Sequence, residues 1–209
     1  MDKVLSVCGE AVYENVIEKS RFIAYSAHTE SEEQAKAFIA GLHALHPYAT
    51  HVCFGYICDK TGALMRFSDN GEPSGTAGMP ILDVIKNQKL YETAVAVVRY
   101  FGGIKLGAGG LVRAYSGAAA GVLANAEKKL WQLCTETEYT TEYPYVNAAL
   151  KFFAAHDCNL IRSDYTDTVT FTVAVRNDAV ENFDAELTDA LLGNLLIERK
   201  KEYFAPFSA

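Results

Sequence analysis

Between Arg99 and Arg113 the chain reads Arg-Tyr-Phe-Gly-Gly-Ile-Lys-Leu-Gly-Ala-Gly-Gly-Leu-Val-Arg, with five glycines and three cations. Glycines permit positive φ and close backbone approach, and a lysine supplies a point charge, which is the chemistry of an anion or phosphate cradle. Its candidate residues are Arg99, Gly102, Gly103, Lys105, Gly107, Gly109, Gly110 and Arg113. No Asp or Glu occurs between Glu92 and Glu127, so the stretch is locally basic. A tight strand-to-helix joint is the competing reading. Packing explains the small residues but leaves Lys105 and Arg113 unexplained. The segment lacks G-x-x-x-x-G-K-[ST] and does not fit G-x-G-x-x-G, which sets aside a P-loop and a Rossmann fingerprint.

Two further polar segments border strands, where site-bearing loops often lie: His46 to His51 and Ser68 to Gly78. Strand alternation puts His51, Cys53, Gly55 and Ile57 on one face and Val52, Phe54, Tyr56 and Cys58 on the other. His51 therefore heads a face with small neighbours, and it reads equally well as a ligand contact or as a hydrogen-bonded, half-buried histidine. Asp69 and Glu72 have the chemistry for a cation site or an acid–base pair, although Asp-Asn-Gly and Glu-Pro are turn formers and favour a solvated turn. His43 and His46 read as surface residues. Cys53 two residues from His51 on one strand is too weak a cue for a nucleophile pair. No catalytic set, no metal-ligand set and no cofactor motif is legible.

The elements that must position these groups follow from periodicity. Strands are expected at Tyr13 to Ile17, Arg21 to Ser26, His51 to Cys58, Ala63 to Phe67 and Ala94 to Val98, the last apolar enough to be buried on both faces. Ser31 and Gln34 form a capping box before a helix buried through Ala35, Phe38, Ile39 and Leu42. Pro80 opens a helix to Ile85, and a long helix carries Leu111, Tyr115, Ala118 and Val122 on to about Leu130. At its N-terminus the first N–H groups lack partners and the dipole favours an anion. A second pattern follows: strand Glu136 to Tyr143, helix Val146 to Ala155, strands Asn159 to Tyr165 and Thr168 to Val175, a helix capped by Asp178 and Glu181, and strand Leu195 to Tyr203. That βαββαβ order is ferredoxin-like. The expected fold class is α+β with a boundary near residue 134, giving domains 1–134 and 135–209. Tyr139, Tyr143, Tyr165 and Phe171 read as core of the second domain and not as an RNA-stacking sheet.

At 209 residues and 50% hydrophobic composition the chain can bury a core, and it reads as an ordinary soluble globular protein. No run approaches the ~18 apolar residues of a membrane span, and acid at the start argues against a leader. The five cysteines are odd in number and include no C-x-x-C pair, which suits reduced thiols. A cytoplasmic location is expected. Residues 1–134 carry 13 Lys+Arg against 13 Asp+Glu, whereas the remainder carries 6 against 13, so the formal net charge of −7 arises in the C-terminal part. The pI near 5.2 argues against indiscriminate binding to DNA or anionic membrane, but leaves room for a focused anion site.

Four segments together resemble the Impact family, in particular its bacterial, two-domain YigZ-like members. They are Lys19-Ser20-Arg21-Phe22, His46-Pro47 to His51 with Cys53, Ser68-Asp69-Asn70-Gly71-Glu72-Pro73 leading to Gly78 and Pro80, and Val98 to Gly107. The resemblance implies an Impact domain with the fold of the second domain of ribosomal protein S5, built on a left-handed βαβ unit. It also implies a ferredoxin-like domain resembling the last domain of elongation factor G. Eukaryotic relatives act in translational control by binding an activator of a stress-responsive kinase.

The functional expectation is a non-enzymatic regulator linked to translation that binds an anionic partner, RNA foremost, through Arg21, His51, Arg99, Lys105, Arg113 and the glycine loop. The alternatives are a small-molecule enzyme or sensor that takes a phosphorylated ligand at the loop, with Asp69, Glu72 and His51 as acid–base or cation groups, and a protein-docking module.

Overall fold

The computed structural model describes residues 3–207. Met1, Asp2, Ser208 and Ala209 lie outside it, and with them the first two residues of the segment read above against a leader. The described chain divides into two compact units after Lys129, a little before the charge shift at Cys134.

The first unit runs β1 (Lys3–Cys8), β2 (Ala11–Ile17), β3 (Ser20–His28), α1 (Glu32–Leu45), β4 (His51–Ile57), β5 (Met65–Ser68), α2 (Gly78–Asn87), β6 (Thr93–Tyr100) and α3 (Gly107–Asn125). Its sheet is ordered β2-β3-β6-β4-β5. β3 and β4 both pair antiparallel with β6, so they run parallel to each other on either side of it, joined through α1. Helices cover both faces, which is why β6 is buried from Thr93 to Arg99. α1 packs Ala35, Ile39 and Leu42 on one face, near Val52, Tyr56 and Val98. α2 and α3 pack Ile81, Ile85, Tyr115, Ala118 and Val122 on the other, near Phe22, Cys53 and Val97. Cys53 and Cys58 thus lie on opposite faces, as strand alternation requires.

The capping box at α1 forms one residue offset: Ser31 Oγ accepts the Gln34 N–H at 3.2 Å, and Gln34 Oε1 accepts the Glu30 N–H at 2.7 Å. The strand β1 had no sequence signal. α3 stops at Asn125, short of Leu130, because the following residues pair in a sheet and that pairing overrides their helical propensity.

The second unit holds most of β7 (Glu127–Thr141), then α4 (Val146–Ala155), β8 (Cys158–Tyr165), β9 (Val169–Arg176), α5 (Val180–Ala190) and β10 (Leu196–Phe207). The order β10-β7-β9-β8 with antiparallel neighbours is the ferredoxin-like arrangement. Tyr139, Phe153, Phe171, Phe183 and Leu187 form its core. Tyr143 and Tyr165 are exposed instead of core, and the Tyr143 hydroxyl donates to the Thr166 carbonyl. The second capping box does not form. Ala179 is the N-cap of α5 and makes no side-chain bond, while Asp178 faces Arg176 at 3.7 Å.

Candidate functional site

Cross-strand register brings two of the singled-out side chains together, and a loop adds a third. On β6, Arg99 lies opposite Phe22 of β3 and opposite His51 of β4, on the face covered by α2 and α3. Glu72 reaches this face from the loop after β5. Arg99 Nη1 donates to Glu72 Oε1 at 2.6 Å, the Tyr115 hydroxyl of α3 donates to the same oxygen at 2.7 Å, and His51 Nε2 lies 3.9 Å from it. Arg99 Nη2 also donates to Ser20 Oγ at 3.3 Å, and its guanidinium sits over the rings of Phe22 and Phe101. Arg99 is 5% exposed. It is a buried ion-pair partner and not a surface cation. Glu72 is buried too, although its neighbours Asn70, Gly71, Pro73, Ser74 and Gly75 are exposed, so a solvated loop turns this one carboxylate inward.

Asp69 explains why that loop folds inward. Its Oδ2 accepts the Gly75 N–H, and its Oδ1 accepts the N–H groups of Ala77 and Gly78 at the start of α2. Burial works against its charged form, but those three N–H donors outweigh it and hold the carboxyl below the usual carboxylate range. Both oxygens are committed to backbone, so Asp69 is a loop and helix anchor.

The turn Asn70–Gly71 then wraps His51. His51 Nδ1 donates to the Asn70 carbonyl at 2.8 Å, since a carbonyl only accepts, and Asn70 Nδ2 donates to the Val52 carbonyl. In the neutral ring the lone pair is therefore on Nε2, facing Glu72. Cys53 Sγ donates to the Asp69 carbonyl at 2.9 Å, and burial pushes its thiol up to about 12. A thiol so placed is no nucleophile at neutral pH.

The glycines divide by cause. A Cβ on Gly102 would stand 2.0 Å from the Lys19 carbonyl carbon, and its N–H donates to Ser20 Oγ. Gly102 is small so that the β2–β3 turn can close on the loop. Gly103 and Gly107 have φ of +88° and +68°, with nothing beside them. Gly109 and Gly110 lie in the first turn of α3, whose N-cap Leu106 makes no side-chain bond and whose first turn holds no acid.

Beside that turn is a cavity of about 330 Å³ lined by residues that include Glu72, Arg99, Phe101, Lys105 and Gly107. Lys105 and Arg113 are exposed, and among the described residues neither has a carboxylate partner. Phe101 is 46% exposed. Arg21 is placed differently, with Nε and Nη2 bonded to the two oxygens of Glu14 at 2.6 and 2.8 Å. Its charge is already matched.

Three contributors escaped sequence reasoning. Ser20 and Phe101 stand in quoted motifs but carry no chemical signal of their own, and Tyr115 reads as helix core. His46 was expected at the surface. It is half-buried, with Nε2 on the Tyr25 hydroxyl and Nδ1 on the Tyr100 hydroxyl, at 2.7 and 2.9 Å.

The Impact N-terminal domain matches residues 18–123, and a domain of unknown function (DUF1949) matches residues 135–194. An IMPACT family member of Haemophilus influenzae is 35% identical over 189 residues, covering 90% of this chain and 92% of that protein. The IMPACT family member YigZ of Escherichia coli is 39% identical over 188 residues, covering 86% and 89%. A solved structure titled "Crystal structure of an hypothetical protein" is 34% identical with a TM-score of 0.62, over 96% of this chain and 98% of that one. With the Arg99–Glu72 pair and the glycine loop lying inside the matched domain, the chain belongs to the Impact family.

Proposed function

We propose that the Impact domain binds single-stranded RNA at the start of α3, and that the protein acts as a regulator linked to translation. One observation carries the reading: exposed Lys105, the start of an uncapped glycine-rich helix and an exposed phenylalanine ring line one concavity, with the exposed Arg113 one turn further along the helix beside Gly109. Phosphate would sit on the N–H groups of the first turn between Lys105 and Arg113. A base would stack on Phe101, as in sequence-tolerant single-strand binding. Arg99 supports the wall of this site from within the core, and its Nε is buried with no acceptor among the described residues. Arg21 is outside the proposed surface because Glu14 holds it, and His51 contributes through the Glu72 network.

Two phosphate contacts on a single strand predict a salt slope of about −1.4, or about a sevenfold loss of affinity between 50 and 200 mM salt. Fluorescence anisotropy with a labelled RNA oligomer measures it. Lys105→Glu with Arg113→Glu should remove binding and flatten the slope, and unchanged binding refutes the site.

The cavity favours a second reading, a phosphorylated small molecule held at the same turn. Competition by a mononucleotide or by inorganic phosphate at equal phosphate concentration separates the two. Displacement by the monomer supports the small ligand, and displacement only by oligomers supports RNA.

A further inference from the structure

Away from the glycine loop, the end of β3, the turn into α1 and the start of β6 bring together His28, Glu30 and Glu92. One ligand atom from each lies within 4.8 Å of the others. We infer that these three side chains form a binding site for a divalent transition-metal ion, with Ser6 of β1 orienting the imidazole.

Three observations carry it. The first is the setting of the imidazole. Ser6 Oγ lies 2.8 Å from His28 Nδ1 and holds the ring from its far side. Nε2 donates to Glu30 at 3.3 Å and lies 4.0 Å from Glu92, so a metal ion would take the place of the Nε2 proton between the imidazole and the two carboxylates. A hydroxyl that fixes the far nitrogen is the support metal-bound histidines have.

The second is Glu92, which is 3% exposed. Its carboxylate points at His28, with Oε2 4.0 Å from Nε2, and burial raises the cost of its charge more than Lys60 offsets it. A cation shared with His28 and Glu30 removes that cost.

The third is spacing. Donor atoms around a tetrahedral ion at about 2.1 Å stand about 3.4 Å apart, so the separations present need only a small closure. Asp59 adds negative charge and Lys60 offsets part of it, since both act on Glu92. Glu30 is half-exposed, which gives an ion a path in and leaves positions for water. One imidazole with two carboxylates suits zinc or manganese(II). His28 and Glu30 are two residues apart but Glu92 comes from a distant point of the sequence, which is why no spacing motif announced the set.

Manganese(II) is the probe, because soft thiolates compete poorly for it and the protein has five free cysteines. The full chain, first treated with a chelator, is titrated while free manganese(II) is read by electron paramagnetic resonance. One ion per chain is expected. Glu30→Gln and Glu92→Gln should each weaken it at least tenfold, and Ser6→Ala by ten- to a hundredfold. Glu30→Gln changes an exposed group and should leave the metal-free unfolding midpoint unchanged, so it decides the matter if a buried variant fails to fold. No saturable binding at millimolar manganese(II), or equal affinity in Glu30→Gln, overturns the assignment.

Discussion

Glu72→Gln tests the reasoning about the site most directly, because it removes one charge and almost no volume. In the parent protein Glu72 Oε1 takes hydrogen bonds from Arg99 and Tyr115 inside the domain. The amide oxygen of glutamine can still accept from Tyr115, but the guanidinium, 5% exposed, loses its counter-charge. Breaking a buried pair by removing one partner costs about 3–5 kcal/mol. For a chain of this size that is roughly 6–20 °C in Tm, at about 2–4 °C per kcal/mol. Urea unfolding followed by far-UV circular dichroism gives the midpoint and slope, and the loss should show as a lower midpoint at constant slope. The paired variant Glu72→Gln with Arg99→Met removes the stranded charge. It should recover part of the loss, because replacing both ions is much cheaper than orphaning one. If Glu72→Gln lies within about 0.5 kcal/mol of the parent, or Arg99→Met adds its full cost on top, the buried-pair argument fails.

Gly102→Ala should destabilise the Impact domain severely, since its Cβ would fall on the Lys19 backbone, and a circular dichroism melt like the parent's would refute the packing role. Asp69→Ala should cost about 1–2 kcal/mol through the lost α2 cap. Because the folded carboxyl of Asp69 is depressed, its contribution is present above about pH 4 and is lost as pH falls through the folded value, so the variant should show a shallower acid limb in stability against pH. Cys53, its thiol raised by burial, should resist iodoacetamide at pH 8 until the protein unfolds, while the partly exposed Cys8 reacts, and peptide mass spectrometry reads both. Lys105→Glu with Arg113→Glu should leave stability unchanged while abolishing oligonucleotide binding and its salt dependence, measured by anisotropy.

The individual elements were largely legible because periodicity and local chemistry act over a few residues. Val146–Ala155 matched its expected bounds, and Ser31 capped α1 as its type required. Misreadings came where distant partners decide. Ala126 to Leu130 could continue a helix by propensity, and β7, paired with β10 from Leu130 onward, makes the segment a strand. Asp178 had the type of a cap, but the helix begins one residue later and Ala179 holds the N-cap position of α5.

For the candidate site, the four motifs hold residues that the fold brings together, but how each is placed depends on burial, which residue type does not encode. Arg21 and Arg99 are alike as letters. One is an exposed partner of Glu14 on an edge hairpin, and the other is sealed between helix and sheet with Glu72. His28, Glu30 and Glu92 carry no common pattern and meet only because the start of β6 folds back beside the end of β3. The sequence alone determined the two-domain α+β order, the family, the basic glycine loop and the acidic second domain, since these rest on local periodicity and on charge counted along the chain. Only the tertiary structure decided which charges are spent on one another and which remain free. That balance depends on desolvation and on distances of a few ångströms between residues far apart in the chain.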